Sequence, residues 1–372
     1  MVRYTASGGL VGSRVEPIAA TRGRVAELSA AAHAARISII LLVGVSSAFL
    51  AAYAMTRGSA NLGMSAIWQL LFRPHELSFT QRFILVQVRL PRVLMSLLTG
   101  ASLAAAGVVM QGVLQNPLAS PFTLGVSSGA SFGAAVGIVL GASVFGFTPA
   151  TQGPALIATN AFAFGCLSLI IVYAIGQTHP GSTAVLLLAG VAVSSLFGAG
   201  VSALRYVSNN EALRDLALWL MGGFWAVSWQ HVLLLFGVAL FSWTILAKLT
   251  PDLNTLLAGD DVAATSGVKV RTVRLICLLL ATLTASASVA FSGVIGFVGL
   301  VAPHITRSVI GQDNRYLFPA SLALGGFLLL GADTIARTIL APVEIPVGVV
   351  MSLVGGPFFI WILVQNGKRV WN

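Results

Sequence analysis

Long apolar runs separated by short polar connections occupy the chain from Ile37 onward. A helix needs about 17–25 mostly apolar residues to cross a bilayer, so each long run predicts one membrane-spanning helix. The pattern predicts about ten spans, and an even number places both ends of the chain on one side. The predicted spans cover residues 37–54, 93–114, 124–140, 155–175, 185–204, 232–249, 273–290, 294–310, 318–335 and 347–364.

Composition agrees with this pattern. Of the 372 residues, 57% are hydrophobic and only 9% are charged, with a mean hydropathy of +0.92, whereas soluble domains carry about 25% charged residues. The sequence therefore predicts an all-α integral membrane protein in contact with lipid. The net charge of +10 does not indicate a nucleic-acid partner, because no basic stripe is interleaved with aromatic residues.

Lysine and arginine set the expected orientation. With the N-terminus inside, every lysine falls on the inner side, as the positive-inside rule favours. Residues 1–36 are polar and basic, and we expect a disordered cytoplasmic tail ahead of the membrane-spanning region 37–372. The outer arginines, among them Arg89 and Arg92, run against the charge bias and need a separate explanation.

Two polar connections are too long for simple turns. Residues 205–229 are amphipathic and rich in tryptophan, which predicts an interfacial or re-entrant segment on the outer side. Residues 250–271 predict two short inner helices. Pro251 begins the first, Asp260 and Asp261 favour the N-terminus of the second, and Gly267 ends it.

Four motifs in the same order resemble those of the bacterial permeases that import iron-siderophores, haem and vitamin B12, the FecCD-type family. They are RLPRVLMSLLTGASLAAAGVVMQGVLQNPLASPFTLGVSSGA (89–130), LNTLLAGDDVAATSGV (253–268), GVIGFVGLVAPHITRSVIGQDNRYLFPASLALGG (293–326) and EIPVGVVMSLVGGPFFIWIL (344–363).

This resemblance implies a type II ABC importer permease in the bacterial inner membrane. It implies a homodimer of ten-helix subunits with two ABC ATPase subunits inside and a periplasmic binding protein outside. No P-loop occurs in the sequence, so ATP would be hydrolysed on the partner subunit and this chain is not expected to be an enzyme. Two groups of four spans flank a single span, which also predicts an inverted repeat.

Two contact surfaces follow from the resemblance. Residues 250–271 match the coupling loop that contacts the ATPase, with Leu256, Gly259, Asp260 and Asp261 as candidate contacts; a solvated loop with helix-capping acids is the alternative. Arg89, Arg92 and Arg337 match arginines that meet acidic residues of the binding protein, and lipid-headgroup anchoring is the alternative. Asp333 and Arg337 are spaced to pair on one helix face.

The cargo is predicted from a short motif. ALRDLALW (212–219) resembles the haem-transporting members, and arginine recognises carboxylates such as the haem propionates in a planar, bidentate manner. Arg214, with Arg205 second, is the candidate cargo contact; the alternative is pairing of Glu211 with Arg214 on an exposed helix, or capping by Asp215. The resemblance implies that the fifth span lies close to the dimer axis and the pathway, which makes Ser194, Ser195 and Gly198 candidate pathway residues, with tight helix packing equally open.

Haem is expected as transported cargo rather than as a bound cofactor, and no metal site is predicted. Ferric siderophore and vitamin B12 remain alternative cargoes. An ion-coupled secondary transporter is the alternative from another class, although such proteins usually place ionisable groups near the bilayer midplane and most of these spans carry none.

Overall fold

The computed structural model describes residues 18–370, apart from residues 59, 61, 144–152 and 180. All the regular structure in this part of the chain is helical. The α-helices are α1 (Ile18–Thr56), α2 (Met64–Phe72), α3 (Phe79–Phe83), α4 (Leu90–Val113), α5 (Val126–Ala135), α6 (Pro154–Gly176), α7 (Thr183–Val207), α8 (Asn210–Met221), α9 (Trp229–Lys248), α10 (Thr250–Leu256), α11 (Asp260–Thr265), α12 (Val270–Ser292), α13 (Val298–Ile310), α14 (Asn314–Thr338) and α15 (Val347–Val370).

Each of the ten predicted spans coincides with a helix. Seven helical segments are long and apolar enough to cross a membrane, and shorter apolar helices at Val126–Leu140, Val298–Ile310 and Val347–Ile362 supply the other three. A π-helical turn, Ile84–Arg89, joins α3 to α4, so that Phe79–Val113 forms one continuous span. The ten-helix membrane fold is therefore confirmed.

The first helix begins earlier than the apolar pattern predicts. It contains 39 residues, which at about 1.5 Å per residue exceeds the thickness of a hydrocarbon core of about 30 Å. Residues 18–36 form its polar first half, so the prediction of a disordered tail is wrong for them. A helix makes its backbone hydrogen bonds within itself, so it can continue through polar residues beyond the apolar run. Residues 1–17 lie outside the described part of the chain.

α4 is the central helix of the bundle and is buried around most of its circumference. It packs against α9, α12, α13 and α14. The closest crossings are at glycines: a Cβ at Gly100 would come within 2.2 Å of the carbonyl oxygen of Gly325, and one at Gly107 within 1.9 Å of that of Gly299. Small residues permit this approach, and the van der Waals packing that results contributes to helix association in lipid.

The bundle has two chemically distinct ends. The coupling end, defined by α10 and α11, also holds His33 of α1, which hydrogen-bonds Tyr316 at the start of α14. The arginine end, defined by Arg89, Arg92 and Arg337, holds the other end of α1. The groups α4–α7 and α12–α15 flank α9, but an inverted repeat between them stays a prediction.

Candidate functional site

Arg92 is the centre of an ion-pair cluster at the arginine end. Its Nε and Nη2 donate to Asp333 Oδ1 at 3.0 and 2.9 Å, and its Nη1 donates to Glu344 Oε2 at 2.8 Å. Pro91 in the first turn of α4 fixes the helix start from which Arg92 projects. Asp333 is 0% exposed while the Glu344 side chain is 32% exposed. Glu344 is therefore the accessible acid of the cluster.

Arg337 completes this cluster from the same helix as Asp333. Its Nε lies 3.0 Å from Asp333 Oδ2, which confirms the predicted pairing one turn apart, and its Nη1 donates to the carbonyl oxygen of Arg57. A buried acid in a membrane span is tolerated when it is paired. Asp333 is shared by two guanidinium groups, which explains why an acid is buried in this span without invoking a transported proton.

Arg89 is held separately from the other two arginines. It is 4% exposed and donates to the carbonyl oxygens of Met55 and Ala60, at the end of α1. Arg337 is equally buried. In this conformation carbonyl groups and Asp333 enclose the charges of Arg89 and Arg337, and direct contact of these two residues with a binding protein stays a prediction. Among the three predicted docking arginines, Arg92 is the least enclosed.

The predicted coupling loop forms the two short helices that the sequence indicates. Pro251 lies in the first turn of α10, and Asp260 and Asp261 lie in the first turn of α11. Gly259 separates the two helices with a φ of +112°, and Gly267 follows the second with a φ of +86°. These angles favour glycine because a Cβ is strained there.

The structure redistributes the predicted contact residues of this loop. Leu256 is 0% exposed and packs in the core, whereas its neighbour Leu257 is 43% exposed. The role of Leu256 as a partner contact stays a prediction. Asp260 accepts from Arg274 Nη2 at 2.9 Å, which fixes α11 against α12. Asp261 and Val262 are exposed. The accessible surface of the loop therefore includes Leu257, Asp261 and Val262.

A polar anchor that sequence reasoning missed holds α10 in place. Asn254 Nδ2 donates to Asp313 Oδ1 at 2.7 Å, and Asn254 Oδ1 accepts from the backbone and side chain of Asn314. Arg315 bonds the same carboxylate and, with Asn254, lowers the pKa of Asp313 to about 2. Asp313 lies between α13 and α14, so this anchor fixes the loop to the bundle.

An apolar cavity of about 620 Å³ opens between the end of α8, the start of α13 and α15. Its lining includes Met221, Phe297 and Leu353. Phe297 has a φ of +68°, a left-handed conformation that is strained for a bulky residue. A Cβ at Gly355 would come within 2.4 Å of the Phe297 Cβ, so the glycine makes room for this ring. Sequence reasoning missed this cavity; its only signal was the Gly-Phe-Val-Gly stretch before α13.

The predicted pathway residues of α7 divide between two faces. Ser194 is partly buried and donates to the carbonyl oxygen of Gly190, whereas Ser195 and Gly198 are exposed. No atom lies within 4 Å of a Cβ built at Gly198. Tight packing within the subunit thus accounts for the small side chain at Ser194. It does not account for the small residues at Ser195 and Gly198.

Arg205 and Arg214 are exposed, near the end of α7 and on α8 respectively. Within the described residues, no carboxylate oxygen lies within 4.0 Å of the Arg214 guanidinium, so the alternative pairing with Glu211 is not formed. Neither arginine lines the 620 Å³ cavity. The structure leaves both charges free to meet a ligand.

Comparison with known proteins places this geometry in a family. The FecCD transport family matches residues 39–365. The chain is 38% identical over 318 residues to the hemin transport system permease protein HmuU of Yersinia pestis, covering 84% of this chain and 92% of that protein. It is 37% identical over 286 residues to the vitamin B12 import system permease protein BtuC of Vibrio cholerae, covering 75% and 82%.

A solved structure agrees with these relatives. An ABC transporter of the metal-chelate type in an inward-facing conformation matches with a TM-score of 0.76 and 32% identity, covering 88% of this chain and 99% of that one. An ion-coupled transporter is therefore no longer a competing interpretation. The chain belongs to the FecCD transport family and is the multi-pass membrane permease of a type II ABC importer.

Proposed function

We propose that this permease imports haem. It acts as a homodimer in the bacterial inner membrane, with both ends of the chain in the cytoplasm. Two ABC ATPase subunits bind at the coupling end, and a periplasmic binding protein delivers cargo at the arginine end. Haem is cargo and not a resident cofactor, and ATP is bound by the partner subunits.

The observation that carries the haem proposal is the unpaired, exposed Arg214 on α8. A guanidinium forms planar, bidentate bonds with carboxylates such as the two propionates of haem. α8 ends at Met221, which lines the 620 Å³ apolar cavity. Met221 follows Arg214 by seven positions, which corresponds to about 10 Å of helix. Apolar pockets of about 300–1,000 Å³ suit a ligand with a large apolar face. The similarity to a hemin permease supports the same cargo.

Uptake into proteoliposomes tests the cargo. The chain is reconstituted with its ATPase and binding protein, and ATP-dependent entry of haem, a ferric siderophore and vitamin B12 is measured. Haem entry is expected, with a marked loss in Arg214→Gln and little change in Arg73→Gln, whose exposed side chain pairs with Glu76. Entry of siderophore or vitamin B12 without haem contradicts the proposal.

Exposed residues of α7 support a pathway between two subunits. Ser195 and Gly198 have no neighbour within the subunit that explains their small size, and small residues permit close helix approach. Cross-linking of Ser195→Cys across two copies in membranes tests this arrangement. A cross-link is expected from Ser195→Cys and not from Ser168→Cys, because Ser168 is fully buried inside one subunit.

The docking role at the arginine end rests on Arg92 and Glu344. An acidic residue of the binding protein would take the place of the partly exposed Glu344 on Arg92, while Arg337 supports the cluster from inside and Arg89 holds the end of α1. Exposed pairs contribute only about 0.2–1 kcal/mol each, so they orient the partner more than they hold it. Arg92→Gln is expected to reduce stimulation of ATP hydrolysis by the binding protein without releasing the ATPase. Unchanged stimulation contradicts this role.

A further inference from the structure

Arg307 is a half-buried arginine with no acidic partner in the described chain, and the environments of the other enclosed arginines differ from its own; Arg36, also half-buried, lies over the Tyr316 ring. Arg92 and Arg337 face Asp333, Arg274 faces Asp260, and Arg89 is enclosed by carbonyl oxygens. Arg307, near the end of α13, donates from Nη2 to Gln111 Oε1 at 2.8 Å. Within the described residues it has no carboxylate oxygen within 4.0 Å.

Arg307 lines a cavity of about 270 Å³ at the coupling end. One side of the cavity is formed by the end of α4 and the connection that follows it. The other side is formed by the last turn of α13, the connection to α14 and the first turn of α14. Its wall carries amide side chains and no acidic one. The polar lining residues are Gln111, Gln115, Asn116, Arg307, Gln312 and Asn314.

The two nearest acids do not neutralise this cavity. Asp260, toward which Gln115 Nε2 points at 3.4 Å, forms its ion pair with Arg274. Asp313 forms its ion pair with Arg315. The last turn of a helix favours a positive charge, which accounts for a cation on α13. It does not account for the surrounding amide groups.

We propose that this cavity is an oxyanion site that takes a phosphate group, with Arg307 as the charged contact. A guanidinium presents a rigid fork of donors that matches phosphate oxygens, and the side-chain amides of Asn116 and Gln312 can donate to the rest of the group. A partly buried charge without a counter-ion is unfavourable. An anion that enters the cavity supplies that counter-ion.

The phosphate cavity adjoins the coupling loop. Gln115 Nε2 also donates to the carbonyl oxygen of Leu256 at 2.7 Å, and Leu257 lines the same cavity. A bound phosphate therefore lies where the end of α4, α13 and the coupling loop meet. This site is separate from the proposed cargo contact on α8 and does not depend on which cargo is imported.

A phosphate group can come from free phosphate or from a lipid headgroup, and two measurements distinguish these sources. The full chain is purified in detergent, and its thermal unfolding midpoint is compared in sodium phosphate and sodium chloride at equal ionic strength. Native mass spectrometry then compares retention of phosphatidylglycerol and phosphatidylcholine. A phosphate-specific rise in the midpoint indicates free phosphate, and selective retention of phosphatidylglycerol alone indicates the lipid.

Three variants assign either effect to the cavity. Arg307→Gln removes the cation, and Gln111→Glu places a carboxylate of the chain beside Arg307 and so fills the site from within; each is expected to remove at least half of the effect. Arg271→Gln is the control, since it removes an exposed charge at the same end that bonds Gln177. It is expected to keep the full effect.

The outcomes decide the proposal. It is overturned if neither measurement shows an anion effect in the wild-type chain, or if Arg271→Gln weakens the effect as much as Arg307→Gln does. If Arg307→Gln does not fold, the proposal is tested with Gln111→Glu and Arg307→Lys instead. Both variants keep a positive charge on α13. An undiminished effect in Gln111→Glu then overturns the site.

Discussion

Arg92 on α4 and Asp333 on α14 are joined by two hydrogen bonds, from Nε and Nη2 of the arginine to the same carboxylate oxygen, at 3.0 and 2.9 Å. Asp333 also lies against Arg337, one turn along its own helix. One fully buried carboxylate therefore compensates two arginines and ties the central helix to α14.

Removing the charge of Asp333 is expected to destabilise the permease strongly. Asp333→Asn leaves two enclosed guanidiniums with one partly exposed acid, Glu344, and breaking a buried ion pair lowers the free energy of unfolding by about 3–5 kcal/mol. Denaturant unfolding in mixed micelles measures the change. Glu344→Gln is the control, with an expected loss of about 1 kcal/mol or less because this acid is partly exposed. Equal losses contradict the central role of Asp333.

The close crossing of α4 and α13 predicts intolerance of a single methyl group. In Gly107→Ala the new Cβ meets the carbonyl oxygen of Gly299, and the forced separation lowers the free energy of unfolding by about 1–3 kcal/mol. Gly237→Ala is the matched change, since no atom lies within 4 Å of its Cβ. It is expected to be neutral or to stabilise α9 by about 0.5–1 kcal/mol, measured in the same micelles.

Neighbouring leucines of the coupling loop are expected to have different roles. Leu257→Asp alters the exposed surface and is expected to weaken co-purification of the ATPase while leaving the thermal unfolding midpoint nearly unchanged. Leu256→Ala removes a fully buried side chain and is expected to lower the free energy of unfolding by about 2–5 kcal/mol. The opposite assignment, with Leu256→Ala releasing the ATPase from a stable permease, contradicts the structure.

The loop anchor at Asp313 predicts an acid dependence of stability. Its folded-state pKa is lowered to about 2 by Arg315 and Asn254, below the ordinary value of about 3.9. The stabilisation is therefore present above about pH 4 and is lost as the pH falls through about 2.

Comparison of the wild-type chain with Asp313→Asn measures this dependence. The difference between their unfolding midpoints is expected to be constant between about pH 5 and 8 and to shrink below about pH 4. Asp215→Asn, which alters an exposed acid on α8, serves as the control. A difference between wild type and Asp313→Asn that stays constant down to about pH 2 would count against the ionised anchor.

The sequence by itself determined the number and order of the spans, the two helices of the coupling loop and the pairing of Asp333 with Arg337. These features depend on the length of apolar runs, on proline and glycine positions and on the period of a single helix. All of them are local along the chain.

Only the tertiary structure decided which charges are available to a partner. Arg89 and Arg92 are three positions apart in sequence, yet carbonyl groups of the α1 end enclose one while acids of α14 and of the loop after it bind the other. The same holds for Leu256 and Leu257, of which one is buried and the other exposed. Exposure and charge compensation depend on distant segments that come together on folding, and no local pattern records them.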